Sequence, residues 1–199
     1  EHRRCTLTTL TTKKSAWWRE AVFYHIYPFS FYDSNDDGIG DIEGIIQKLD
    51  YLNDGTPDSL GIDAIWVTPI FPSPWADYGY DVSCYTQIDP FFGNREIAEK
   101  FIVECHRRGM KIIFDFVPNH TSNEHPWFVE SKSSRDNFYQ DFYLWANPHA
   151  GEGFPSPHTS TFGGPAWKFS HGRGQYYFHY FYQEQPELNW CNPLVRKAM

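Results

Sequence analysis

Cysteine is scarce in this sequence: Cys5, Cys84, Cys105 and Cys191 are the only four in 199 residues. Their separations match neither the paired spacing of a zinc site nor the density of a disulfide-stapled domain. Cys105 falls on an apolar helical stripe, and a reduced, cytoplasmic protein is the expectation. Long apolar runs are missing as well. Nothing approaches the roughly 18 residues of a membrane helix, so no membrane association is expected. The opening stretch E-H-R-R-C-T-L-T-T-L-T-T-K-K-S-A carries basic residues but no apolar core of a signal peptide. Residues 1–16 read as a disordered tail, and a start at Glu rather than Met reads as trimming. Positive charge is also short, with 17 Lys and Arg against 25 Asp and Glu and a net charge of −8. That balance argues against nucleic acid, whose phosphates require a basic surface.

What the chain has in quantity is aromatic side chains, at 19% of residues. They suit a large core, and equally a cleft in which the apolar face of a sugar ring packs on a flat side chain. Along the chain, apolar runs and helical stripes alternate. Ala21 to Tyr27 (A-V-F-Y-H-I-Y) is β-branched and aromatic and predicts a strand ending at Pro28. Ile42, Ile45, Ile46, Leu49 and Leu52 recur at helical spacing, and Asn53-Asp54-Gly55-Thr56-Pro57 breaks that helix. Ala64 to Val67 predicts a second strand. Ile97, Ala98, Phe101, Ile102 and Cys105 make another stripe, with Asn94 as N-cap and Gly109 as the stop. Lys111 to His120 (K-I-I-F-D-F-V-P-N-H) predicts a third, fully buried strand that delivers Asp115, Asn119 and His120 at its carboxyl end. Strands alternating with helices predict a parallel sheet with right-handed crossovers. After His120 the chain turns loop-like, with only Gln175 to Phe181 clearly strand-like. A structureless loop of that length is uncommon in a compact domain, which predicts an inserted subdomain.

Two polar constellations carry chemistry. In Asp33-Ser34-Asn35-Asp36-Asp37-Gly38-Ile39-Gly40-Asp41, oxygen donors fall at alternate positions with glycine at the sixth, the first part of an EF-hand-like loop. The donors would be Asp33, Asn35, Asp37, the Ile39 carbonyl and Asp41, and the cation Ca²⁺ before Mg²⁺, in a structural role. Position 12 is Gly44 rather than a bidentate Glu, so an Asx-turn loop that caps a helix at Asp41 is the competing reading. In Gly79-Tyr80-Asp81 a flat ring stands beside a charged acceptor, which suits a pyranose, while a turn with a surface Tyr is the plain alternative. Asn119-His120 reads either as ligand-facing or as a hydrogen-bonded pair closing a strand.

Taken together and in order, W-W-R-E-A-V-F-Y-H-I-Y-P, D-S-N-D-D-G-I-G-D, G-Y-D, D-F-V-P-N-H and Q-P-E-L-N resemble the α-amylase family of glycoside hydrolases (family 13), in its α-glucosidase and oligo-1,6-glucosidase branch. The likeness runs from about Trp17 to Met199. It implies an α/β fold, the N-terminal part of a (β/α)8 TIM barrel (strands 1–3) in 17–117, with an inserted subdomain after strand 3 in 118–185 and a return toward the barrel in 186–199. It further implies that Tyr80 stacks on a terminal glucose and Asp81 binds its hydroxyls. His120, with Asn119 beside it, would donate to the same sugar, and Asp115 would support the site from behind. Phe162 and Phe181 resemble entrance aromatics, although core packing fits them as well. Gln185 opens the Q-P-x-L-N motif, where Glu187 departs from the family's usual Asp.

Retaining glycosidases need two carboxylates about 5 Å apart, and in this family these follow later strands. A complete barrel needs about 250 residues. The expectation is therefore the N-terminal part of a retaining α-glucosidase acting on short oligosaccharides, with no catalytic residue in this chain. The competing functions are a glucosyl-transferring relative, such as a trehalose synthase or sucrose isomerase, and a non-catalytic amylase-like partner subunit.

Overall fold

The computed structural model describes residues 15–149 and 153–199; the predicted tail lies, as far as residue 14, outside the described residues. Three short parallel strands form the first sheet, in the order β1 (Phe23–Ile26), β2 (Ala64–Val67), β3 (Lys111–Phe114). Register aligns Phe23 with Ala64 and Lys111, and Ile26 with Val67 and Phe114. All three strands thus end level. The ladder continues one step, as Thr68 donates to the Ile26 carbonyl at 3.0 Å and Asp115 to the Val67 carbonyl at 2.9 Å. Asp115 is thereby fixed at the carboxyl edge of the sheet.

Helices cover one face. Pro28 opens a short helix α1 (Pro28–Phe31) that the apolar pattern did not reveal. The stripe predicted across 42–52 forms two helices, α2 (Ile42–Gln47) and α3 (Leu49–Leu52), because Lys48 leaves helical geometry between them. α4 (Arg95–Arg107) is one continuous helix, capped as predicted by Asn94, whose side chain accepts from Ile97 N at 2.9 Å. Ile26, Ile42, Ile45, Leu49, Leu52, Ile65, Val67, Phe101 and Cys105 bury together between helices and sheet. Each such aliphatic or aromatic side chain contributes about 1.5–3 kcal/mol by leaving water. Gly44 makes the approach of α2 possible: a Cβ there would sit 2.0 Å from the Tyr32 carbonyl oxygen.

The opposite face of the sheet is open. Phe23, Trp66 and Ile113 point outward from it, and His25 stacks on Trp66 with ring centroids 4.1 Å apart. β3 is therefore not the fully buried strand that its apolar run predicts: its residues alternate, and Ile113 is 43% and Phe116 51% exposed. A strand apolar on both faces is one built to be covered twice.

Beyond His120 the chain builds a second unit with its own core. Helix α5 (Pro126–Ser133) and the antiparallel sheet β4 (Trp145–Ala146), β5 (Trp167–Ser170), β6 (Gln175–Phe178), ordered β4-β6-β5, enclose Phe128, Phe142, Tyr143, Tyr177, Leu188 and Val195. The predicted strand at 175–181 survives as β6; the helix and the other two strands were hidden by short lengths and weak periodicity. Arg173 holds the unit together. Its buried guanidinium lies 4.4 Å over the Trp145 ring and donates to the carbonyls of Ser131, Ser134 and Gln140 and to Gln175 Oε1. A last helix, α6 (Pro193–Ala198), follows.

The open sheet face is a testable feature. ANS should brighten on mixing with the folded protein, since Phe23, Trp66 and Ile113 expose large apolar side chains on this face. An unchanged dye spectrum, with folding verified by circular dichroism, would show that the face is covered.

Candidate functional site

Above the carboxyl edge of the first sheet, three segments distant in sequence converge: the 73–81 loop, the 115–120 segment after β3, and the 181–187 segment that follows β6. The first is wound around Asp81. That carboxylate has no accessible surface. Its Oδ1 accepts from Ser73 Oγ at 2.8 Å and Asp77 N at 2.9 Å, and its Oδ2 from Ala76 N at 2.9 Å. Trp75 and Tyr78 are held at φ of 65° and 51°, and Gly79 at 100°. Non-glycine residues occupy that region only where their surroundings enforce it.

This geometry corrects the expected role of Asp81. A carboxylate without accessible surface, its oxygens already accepting from its own loop, does not bind sugar hydroxyls directly. The carboxylate that the loop presents is Asp77, half-buried, with Oδ2 accepting from Gln185 Nε2 at 2.8 Å. Burial raises Asp77 above the ordinary carboxylate range; the Gln185 bond opposes this, and the nearby Asp81 charge adds to it. The stretch D-Y-G-Y-D offers two acids, and nothing local tells which one faces inward; only the winding of the loop decides.

Tyr80 is half-buried and its hydroxyl donates to Asp115 Oδ2 at 3.1 Å. Burial, reinforced by the Asp115 charge, pushes the phenol up to about 12, so it stays protonated and remains a donor. His120 is 3% exposed. Its Nε2 lies 3.1 Å from the Tyr80 carbonyl oxygen and 3.0 Å from Gln185 Nε2, and its Nδ1 lies 3.2 Å from Asn119 Nδ2. Burial pulls the imidazole down to about 4, against the opposite pull of the Tyr80 carbonyl and Asp81; it is a neutral side chain at pH 7. Gln185 is fully buried, with Oε1 accepting from Tyr182 N at 2.9 Å. Like Asp81 it is corrected from a contact residue to a brace, here for Asp77 and His120.

Of the aromatics, Phe181 stands edge-on to His120, with centroids 5.2 Å apart. Phe162 is 52% exposed and stacks on Tyr182 at 4.2 Å. Both line a cleft of about 640 Å³ that opens across the second unit toward Trp167, Phe169 and Tyr176. Tyr80, Asp77 and His120 are not among its walls. The chemistry sits beside this cleft, not in it.

The Asp-rich loop stands apart from the site. Asp33 accepts from the backbone N–H groups of Asn35, Asp36 and Gly38, and Gly38, reached through a φ of 89°, contributes most to holding this carboxyl below its usual range. Asn35 Oδ1 accepts from Asp37 N, and Asp37 Oδ1 from Ile39 N. Asp41 is buried and caps α2, accepting from Gly44 N at 2.6 Å, with Ser34 on its other oxygen. Glu43 is drawn off to Lys100 at 2.9 Å. Among the described residues no group of three or more His, Cys, Asp or Glu side chains converges as metal ligands, so a cation here would also draw on Asn35 and a carbonyl.

The fold and this grouping define an α/β protein whose polar site lies at the carboxyl ends of parallel strands, the usual ligand position of such sheets. Residues 25–199 match the alpha-amylase catalytic domain, and the chain belongs to that family. Over 183 residues it is 52% identical to the oligo-1,6-glucosidase of Heyndrickxia coagulans, covering 92% of this chain and 32% of that one. It is 51% identical to the oligo-1,6-glucosidase of a Bacillus species (strain F5), over 93% of this chain and 35% of that one. A solved structure of an alpha-glucosyl transfer enzyme, XgtA, superposes with a TM-score of 0.87 at 47% identity, over 92% of this chain and 33% of that one. This chain therefore spans about a third of the length of the relatives it matches.

Buried neutral histidines leave a pH signature. His120 and His125 are both held at about 4 by burial, against an ordinary 6.5. Their contribution to stability is complete above pH 6.5 and is lost as pH falls toward 4, because the unfolded chain takes up the protons first. Each contributes a slope of up to about 1.4 kcal/mol per pH unit in that window. Asp77 and Glu187, raised by burial, act in the opposite sense, so the difference between variants is the quantity to measure. In urea unfolding between pH 7 and 4, His125→Gln should flatten the profile; a slope equal to wild type would contradict it.

Proposed function

We propose that this chain forms part of the sugar-holding side of a retaining α-glucosidase that hydrolyses terminal α-glucosidic bonds of short oligosaccharides. The observation that carries the reading is the convergence of Tyr80, Asp77 and His120 beside Phe181, in a chain about half identical to oligo-1,6-glucosidases. Tyr80 offers a ring for the apolar face of a glucose. Asp77 accepts from its hydroxyls, and His120, with Asn119 behind it, shares its one N–H between the Tyr80 carbonyl and a sugar hydroxyl, while Asp81, Gln185 and Asp115 hold these groups in place. Phe162 and Phe181 border the approach.

In the same reading, residues 17–117 are the first three strands of a (β/α)8 barrel, 118–185 an inserted subdomain and 186–199 a return toward the barrel. The open inner face of the sheet and the separate second core support this division. The nucleophile and the acid/base lie outside the chain. The 199-residue chain should accordingly show no turnover of p-nitrophenyl α-glucoside, and release of nitrophenol above background would overturn the assignment. In a longer protein that contains this segment, Asp77→Ala should lower kcat/KM roughly 10–100-fold, the loss of one charge-assisted hydrogen bond. Asp77→Ala kinetics equal to wild type would count against Asp77 as the contact.

Glucosyl transfer is the second reading, favoured by the superposition on the alpha-glucosyl transfer enzyme. The two differ in whether water or a sugar hydroxyl attacks, so the product ratio of free glucose to new disaccharide separates them. A cytoplasmic location is supported by the free thiols of Cys84, Cys105 and Cys191, and among the described residues no helix is long and apolar enough to cross a membrane.

The Asp33–Asp41 loop is read as a structural Ca²⁺ site, with Mg²⁺ the weaker candidate. Its support is an all-oxygen donor set of Asp33, Asn35, Asp37, Asp41 and the Ile39 carbonyl. A cation at 100 times its Kd stabilises the native state by about 2.7 kcal/mol. Millimolar Ca²⁺ should thus raise the melting temperature by several degrees, and Asp33→Asn should abolish that rise; identical melts with Ca²⁺ and with EDTA would refute the site.

A further inference from the structure

His120 receives contradictory demands from its two sides. Gln185 has its amide orientation fixed, because Oε1 accepts from Tyr182 N at 2.9 Å and Nε2 donates to Asp77 at 2.8 Å. Its amide nitrogen therefore faces His120 Nε2 at 3.0 Å, a contact that asks Nε2 to be an acceptor. On the other side, Asn119 Nδ2 lies 3.1 Å from Glu187 Oε2 and 3.2 Å from His120 Nδ1. Glu187 Oε2 accepts in this contact, so Asn119 turns its NH₂ group toward it. The same nitrogen faces the imidazole, so Nδ1 must accept. A neutral imidazole has one donor and one acceptor. With Nδ1 accepting, the proton resides on Nε2, where the Tyr80 carbonyl at 3.1 Å accepts it.

We propose that Glu187 is a positioning residue that, through the Asn119 amide, fixes His120 in its Nε2–H form, a donor on the side of Tyr80 and Asp77. The backbone supports this arrangement. Residues 120 and 187 form an antiparallel bridge, and Leu188 N donates to the Asn119 carbonyl at 3.0 Å. Without Glu187 nothing obliges the Asn119 amide to keep its nitrogen toward the ring, and the demand of Gln185 prevails: the proton moves to Nδ1 and Nε2 becomes an acceptor. In the sugar site this exchanges a hydrogen-bond donor for an acceptor at the same place. That consequence rests on the functional reading above; the tautomer itself does not.

The tautomer is read without substrate, from imidazole ¹⁵N shifts and two-bond ¹⁵N–¹H couplings of the ¹⁵N-labelled protein at pH 7.5, with the His120 signals assigned by their loss in His120→Gln. Wild type should show protonated Nε2 and bare Nδ1. Glu187→Met should populate the Nδ1–H form to more than half, and Glu187→Asp should restore the wild-type pattern. Asn119→Asp, which places an acceptor against Nδ1, should also draw the proton there. A wild-type His120 protonated on Nδ1 would overturn the proposal without any variant, as would a folded Glu187→Met or Asn119→Asp protein with wild-type shifts. Because none of these readouts involves glycosidase activity, a failed glucosidase assay would leave the tautomer result standing, and the reverse.

Discussion

One buried carboxylate, Asp81, determines whether the site exists at all. Its three hydrogen bonds, from Ser73 Oγ, Ala76 N and Asp77 N, are charge-assisted and worth about 1.5–3 kcal/mol each. Trp75 and Tyr78, the two non-glycine residues that the loop holds at positive φ, cost about 1–3 kcal/mol each. Those bonds are of the size needed to offset that strain. Without it the loop would relax, Asp77 would leave Gln185, and the Tyr80 ring would lose the backbone that aims it. The energy that shapes the site thus comes from a residue that a ligand does not touch.

From that pin the order propagates outward. Tyr80 reaches Asp115, whose position the parallel ladder sets through the Val67 carbonyl. The Tyr80 carbonyl reaches His120, which the 186–188 segment holds through Glu187 and Leu188. The first sheet and the second unit each contribute one wall, with hydrogen bonds spanning up to 108 residues in sequence, from Gln185 to Asp77. A site built this way requires both cores. Local opening of the second unit removes Gln185 and Glu187 together, and the imidazole loses both of the partners that dispute its proton.

How much of this was legible depends on the range of the interaction concerned. Periodicity located β1, β2, α4 and β3, because apolar spacing reports directly which side of an element is covered. Asn94 and Gly109 were readable as helix ends, since capping is settled within a few residues. The helix α5 and the strands β4 and β5 escaped, being short and interrupted by Pro, Gly and Ser. β3 looked fully buried because its sequence is apolar on both faces; the structure shows it covered on one. Gly44 appeared as a defect in a calcium loop, whereas its missing side chain is what lets α2 lie against the Tyr32 carbonyl.

The exchange of roles between Asp77 and Asp81 shows where sequence reasoning stops for a physical reason. Both are acids four residues apart in one loop, and propensity treats them alike. What separates them is solvation. Asp81 gives up water and gains donors supplied by its own loop, so its charge is satisfied inside the protein. Asp77 gains a single donor, Gln185 Nε2, and stays only half-buried, with acceptor capacity unfilled beside a flat ring and a neutral imidazole. An incompletely satisfied carboxylate has the complementarity that a sugar's hydroxyls supply, each of which both donates and accepts. The criterion for a contact residue at such a site is therefore the hydrogen bond that the protein leaves unmade, and that quantity appears only once the loop is wound.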